Sequence, residues 1–229
     1  PTDLWIVGVN GVGAFPVALA GSDLDMQIVL QNTTSAPRQY DITVALMDQD
    51  NDTVAFWQGW PLPDYPTEKW TRDAIVRVPV VVEVPASVPA GSYRLVTSLL
   101  EQPGDIIHTE IDLADVTIRT RPVRYERNES GIALPASVQI GTHAKLISYD
   151  LFRTHESSEL ALEWKVRQPL RPQHHIFVHM IDAHGAIVSQ PDGPPMSDAG
   201  PAPTGSWRTG EYVPTYHKIA LPTENDAIH

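Results

Sequence analysis

Cysteine is missing from all 229 residues, which excludes disulfides, thiolate metal sites and a cysteine nucleophile and leaves the redox compartment open. Basic residues are scarce: 16 Lys and Arg stand against 28 Asp and Glu, a formal net charge of -12. That balance repels a polyphosphate backbone and an anionic membrane surface, so no nucleic-acid partner is expected. No run approaches the ~18–20 apolar residues of a membrane span. The opening "PTDLWIVGVN" has neither the basic start nor the long apolar core of a signal peptide. A soluble chain is expected. A start at Pro1 without methionine and a stop at "LPTENDAIH" suggest a processed form or an excised piece of something longer. Helical periodicity is also lacking. The best stretch, "THESSELAL" from Thr154 to Leu162, runs straight into the strand-like "LEWKV" and reads as a loop feeding a strand.

Proline is plentiful, 21 residues, and is dispersed between apolar runs rather than clustered as in a disordered tract. Short β-branched runs recur, among them "LDMQIVLQN", "YDITVALMD", "AIVRVPVVVEV", "YRLVTSLLE", "AKLISYDL", "LALEWKVR", "HIFVHMID" and "HKIALP". Each is bounded by Gly, Pro, Asn or Asp, the pattern of strands joined by turns. The runs fall into two diverged copies of one unit. Leu24 aligns with Leu160, Asp48 with Asp182, Trp70 with Trp207 and Pro85 with Pro222, at offsets of 136, 134, 137 and 137. Copy one continues into "ASVPAGSYRLVTSLL", whereas copy two has no such strand, which predicts an open edge for another segment or chain to fill. The boundary falls within "IRTRPVRYERNESG", Ile118 to Gly131. The predicted fold is all-β: two tandem immunoglobulin-like antiparallel β-sandwiches, residues 1–122 and 123–229, the second lacking its final strand.

The segment from His174 to Pro195 concentrates four histidines. In a strand, His175 and His179 share a face but stand about 13 Å apart, too far to ligate one zinc ion, and His174 points the other way. No metal site and no cofactor are predicted. "DAHG", Asp182 to Gly185, reads as a hairpin turn with Asp182 bonding local backbone and Gly185 at positive φ. Copy one has the acidic turn "DQDNDTV" from Asp48, without the oxygen spacing of a calcium loop. "GVNGVGAF" lacks the features of a phosphate loop, and no nucleophile-elbow motif occurs. Asp64, Glu68, Asp73 and Glu211 give no spacing that selects a general acid and base. No enzymatic activity is expected, with a hydrolase assembled in space as an alternative.

Aromatic residues carry the binding hypothesis. Trp57, Trp60, Tyr65 and Trp70 crowd one proline-rich span, and Trp207, Tyr212 and Tyr216 occupy the matching region of copy two. Aligned Trp70 and Trp207 read as core residues whose indole N–H meets a backbone carbonyl. Trp57, Trp60 and Tyr65 are candidates for stacking on a sugar ring, with Gln58 and Asp64 bonding its hydroxyls. Asn-x-Ser/Thr triplets stand at Asn32, Asn51 and Asn128, a weak pointer to glycosylation.

Copy two also carries an ordered set of motifs. Phe177, Val178, His179 and Asp182 form F-V-H-x-x-D, followed by Gly185 in a turn. Gln190, Asp192, Pro194 and Pro195 form a loop, and Pro203, Thr204, Trp207, Gly210 and Glu211 form P-T-x-x-W-x-x-G-E. In that order they resemble the β-sandwich module at the extracytoplasmic C-terminal end of bacterial polyprenyl-phosphate-sugar-dependent membrane glycosyltransferases, a module also found in uncharacterised surface proteins. The resemblance covers residues 138–222 and, more faintly, copy one. It implies a non-catalytic recognition or accessory module, periplasmic or on the cell surface, membrane-associated only through a parent segment absent from this chain. The expected partners are a glycan or, for a structural subunit of a surface assembly, another protein chain added at the open edge of copy two.

Overall fold

The computed structural model describes residues 3–11, 16–35, 37–103, 106–128, 131–153 and 157–220. The chain is nearly all β and divides into two compact units, Pro1–Thr120 and Arg121–His229.

Unit 1 contains β1 (Leu4–Asn10), β2 (Val17–Leu19), β3 (Asp23–Asn32), β4 (Tyr40–Met47), β5 (Thr53–Gly59), β6 (Ile75–Glu83), β7 (Gly91–Glu101) and β8 (Ile106–Arg119). One sheet has the order β1-β3-β6 and the other β2-β8-β7-β4-β5, antiparallel throughout except for the β2–β8 pair. Period-two patterning makes the sandwich. In β6 every second residue, Val76, Val78, Val80 and Val82, is buried and the intervening ones are exposed. They meet Ile42, Val44, Leu46, Leu95 and Leu99 of the facing sheet in one apolar core.

Unit 2 contains β9 (Ile132–Ile140), β10 (Ala144–Arg153), β11 (Ser157–Val166) and β16 (Tyr212–Ala220), which form one sheet in the order β16-β11-β10-β9. Between β11 and β16 lie two small ribbons, β12 (Met180–Ile181) with β13 (Ile187–Ser189), and β14 (Met196–Ser197) with β15 (Gly200–Pro201). The predicted strand "HIFVHMID" is therefore ladder-paired only at Met180–Ile181. Upstream it stays extended, bonded through Ile176 N–H to Gly193 O (3.2 Å) and Val178 N–H to Pro191 O (3.1 Å). Proline at 191, 194 and 195 deprives the neighbouring segment of donors, so a continuous ladder cannot form. The expected face alternation is kept: Ile176 is buried, while His175, Phe177 and His179 are exposed.

The two copies share detailed geometry. Asp48 Oδ1 accepts from Asp50 N–H (3.0 Å) and Asp52 N–H (2.8 Å), and Asp182 Oδ1 accepts from His184 N–H (2.8 Å) and Ala186 N–H (2.9 Å). The left-handed position is Asn51 in one turn and Gly185 in the other. Both acidic turns are thus local capping devices. Downstream, a 3-10 turn precedes each aligned tryptophan. Trp70 donates its indole N–H to Tyr65 O (2.9 Å) and Trp207 to Ala202 O (2.8 Å), and their exposures are 1% and 0%. The buried hydroxyl of Thr67 accepts from Tyr40 N–H (3.1 Å), and that of Thr204 accepts from His174 N–H (2.8 Å).

Strand pairing revises the alignment at one place. Met26 lies opposite Val80 and Leu160 opposite His217, so Leu160 corresponds to Met26 rather than to Leu24. A slip of two residues leaves the buried face unchanged, and the apolar pattern alone does not detect it. The repeat also reaches further upstream than the sequence suggested. β1 and β10 hold equivalent places beside β3 and β11, each with a bulge between matching residues, Ile6/Gly8 and Leu146/Ser148. Pro222, aligned with Pro85, and residues 154–156 of the "THESSELAL" stretch lie outside the described residues.

Replacing Thr204 by valine keeps shape and removes the acceptor of the His174 N–H. The expected cost is about 1–3 kcal/mol, read as a lowered urea midpoint, with Thr67→Val behaving alike in unit 1. Midpoints unchanged from wild type would contradict this role.

Candidate functional site

The five residues predicted to bind a sugar do not share a face. Trp57 points toward the core of unit 1 and packs partly against it, with its ring lying over the Gly59 backbone. Gln58, its neighbour on β5, points the opposite way and donates to Asp41 Oδ2 (3.3 Å). Trp60 (49% exposed), Asp64 and Tyr65 (39% exposed) remain on the loop between β5 and β6. Tyr65 is tethered there: its hydroxyl donates to Lys69 O (3.3 Å) and its ring contacts Trp70 at 6.3 Å. Alternation in β5 is what splits Trp57 from Gln58, and the loop residues stand as a separate exposed group.

Of the carboxylates singled out in the sequence, Asp64, Glu68 and Asp73 are exposed, and Glu211 is built into the core of unit 2. Glu211 is fully buried and forms a bidentate ion pair with Arg121, whose Nη2 lies 2.6 Å from Oε2. Arg121 also donates from Nε to Ser206 Oγ (2.7 Å) and from Nη2 to Ser206 O (2.9 Å). Every strong donor of this buried pair is met, the condition under which such a pair is tolerated. Glu163, not noticed in the sequence, accepts from Arg124 Nη2 (2.7 Å), Asn128 N–H (3.0 Å) and Ser148 Oγ (2.9 Å). These two acids hold residues 121–128 against the sheet of unit 2. Asn32 is wholly buried, and its side-chain amide donates to Thr34 O (2.8 Å), Trp70 O (3.1 Å) and Thr71 O (2.9 Å). That position is closed to a glycan in the folded chain.

Among the described residues no group of three His, Asp or Glu side chains is placed to hold a metal ion, and no helix is long and apolar enough to cross a membrane. The histidines of the 174–195 segment diverge as expected, His175 and His179 on the exposed face and His174 on the other.

The feature that stands out is the edge of the 174–181 segment. Its counterpart in unit 1, β4, is hydrogen-bonded on one side to β5 and on the other to β7. In unit 2 the β5 side is occupied by residues 187–193, whereas the N–H groups of His175, Phe177 and His179 have no partner among the described residues. Burial follows the same line. Val44 and Leu46, on a strand flanked by β7, are 0% exposed, while the equivalent Val178 and Met180 are only half-buried. Phe177, Ile181, Ile187 and Val188 are exposed around them.

The inner face of β16 is more polar than that of β6. Thr215 and His217 stand where unit 1 has Val78 and Val80, and the Thr215 hydroxyl accepts from Trp164 Nε1 (3.1 Å) and lies 3.2 Å from His217 Nε2. Burial pushes the His217 pKa below its ordinary value of 6.5. The folded chain therefore binds fewer protons here than the unfolded chain. Unit 2 has its full stability above that ordinary value and loses stability as the pH falls through 6.5 toward the lowered folded value. Urea midpoints of unit 2 taken from neutral pH down to about 5 are expected to drop in wild type and to flatten in His217→Gln; parallel curves would refute the assignment.

No protein-family model matches the sequence, and no curated protein matches it.

Proposed function

We propose that the chain is a non-catalytic extracytoplasmic assembly module whose unit 2 accepts a β-strand from another protein chain at the free edge of residues 174–181. The observation that carries this reading is the contrast between copies: the same strand is flanked on both sides in unit 1, by β5 and β7, and on one side only among the described residues of unit 2. A partner strand adding there gains main-chain bonds from His175, Phe177 and His179 and covers Val178 and Met180. Full burial of side chains of this size is worth about 1.5–3 kcal/mol each, and strand addition is a common mode of peptide recognition. The chemistry of the partner is written in β7, whose Leu95, Thr97 and Leu99 oppose Leu46, Val44 and Ile42. It is an extended segment with apolar or β-branched residues at alternate positions. The ordered motifs of unit 2 support an accessory role outside the cytoplasm.

A synthetic peptide of the β7 sequence, Gly91–Glu101, is expected to bind the full chain. Phe177→Pro, which deletes one unpaired N–H at an exposed position, is expected to weaken binding about tenfold, a difference of about 1.4 kcal/mol. Absence of peptide binding, or equal binding by the proline variant, would overturn the reading.

Glycan recognition is a second reading, supported by the exposure of Trp60, Asp64 and Tyr65 on one proline-bounded loop. It expects a glycan array to return a ligand whose binding quenches tryptophan fluorescence and is lost in Trp60→Ala. An array without hits would remove it.

A further inference from the structure

The outward face of the unit 2 sheet holds a hollow with a small residue at its floor. In the register of β10, β11 and β16, Asp150, Ala161 and Tyr216 lie side by side across three strands. Ala161 leaves a dip between larger neighbours: Phe152 rises on the β10 side, Tyr216 on the β16 side, and Arg124 and Asn128 of the overlying segment close one end. The free space is about 70 Å³, enough for one face of one ring and too little to enclose a molecule.

The wall chemistry narrows the occupant. Phe152 is 50% exposed although it sits on a β-sheet face with no apolar layer above it among the described residues. Asp150 uses Oδ1 to accept from Leu151 N–H (2.8 Å), and its other oxygen has no hydrogen-bond partner among the described residues. The Tyr216 hydroxyl likewise has none among them, and burial raises its pKa, so it remains a neutral donor and acceptor. Acidic groups dominate around the hollow. Glu163 is paired with Arg124 at 2.7 Å and lies 3.8 Å from Arg127, Asp198 and Glu159 lie near enough to Tyr216 to act on its hydroxyl, and Asp150 has no ion pair among the described residues. An anion meets that carboxylate unfavourably. A flat aromatic ring finds few partners for the polar rim. A neutral ring with an apolar face and hydroxyl edges satisfies both surfaces, stacking on an aromatic wall while donating to Asp150.

We infer that this hollow is a binding site for one neutral sugar ring, with Ala161 as its floor, Phe152 and Tyr216 as its walls and Asp150 as its hydroxyl acceptor. The site is independent of the strand-accepting edge and of the Trp60 loop. Its small size sets affinity in the millimolar range, the level expected for a single exposed ring.

Ligand-observed saturation-transfer NMR together with protein amide spectra of the full chain, with methyl glucoside, methyl galactoside and methyl mannoside as probes, tests the assignment. At least one glycoside is expected to bind at millimolar concentration and to shift the amide signals of Phe152 and Ala161. Ala161→Leu, which fills the floor, is expected to weaken that binding at least about tenfold. Phe152→Ala should weaken it too and, being at an exposed position, remains decisive should the leucine variant fail to fold. Trp5→Ala, at an exposed position of β1 in unit 1, should leave it unchanged. The inference is overturned if no glycoside binds, if binding survives both unit 2 substitutions, if Trp5→Ala abolishes it, or if inorganic phosphate displaces the glycoside.

Discussion

A strand that borders an apolar core carries two rows of backbone donors and acceptors, and each row has to be met by another strand, by a side chain or by water. How these rows are met organises both halves of this chain. In unit 1 every core strand of the larger sheet has a neighbour, and the apolar residues beneath it are fully buried. In unit 2 the sheet has the order β16-β11-β10-β9, and among the described residues the segment 174–181 in the layer facing it is bonded on one side only, to residues 187–193. The proposed function is a consequence of that asymmetry.

The shared construction of the two units shows which interactions the fold cannot dispense with. Proline, threonine and tryptophan recur at Pro66, Thr67 and Trp70 and at Pro203, Thr204 and Trp207. The tryptophan fills the core and closes its own loop through its indole N–H, while the threonine hydroxyl accepts from the first N–H of β4 or of the extended 174–181 segment. One short turn thus ties the two layers together in each copy. Elsewhere the copies diverge according to what covers them. Arg121 and Glu211 supply a buried ion pair in unit 2 where unit 1 has Ala74, and β16 carries Thr215 and His217 where β6 has valines.

Much of this was legible in the residues. The spacing of apolar runs and turn residues specified an all-β chain, and the acidic turns at Asp48 and Asp182 and the tryptophan pins followed from local chemistry. Other features were hidden for physical reasons. A two-residue slip between Leu24 and Met26 preserves the buried face, so periodicity could not detect it. The bulges shared by β1 and β10 leave no composition signal, and Glu163 gains its partners only through residues distant in the chain. Trp57 and Gln58, adjacent in sequence, were grouped as one site, yet alternation in β5 sends them to opposite faces. The hollow at Ala161 depends on which residues three strands bring into register, information that no single run contains.

Residue-resolved amide hydrogen exchange along residues 174–181 is the most direct measurement of the central claim. The account predicts slow exchange at Ile176 and Val178, whose amides are bonded within unit 2, and fast exchange at His175, Phe177 and His179 until a β7-like strand is added, when these three become protected. Protection of all five in the chain alone would mean that the edge is already closed and would contradict the account.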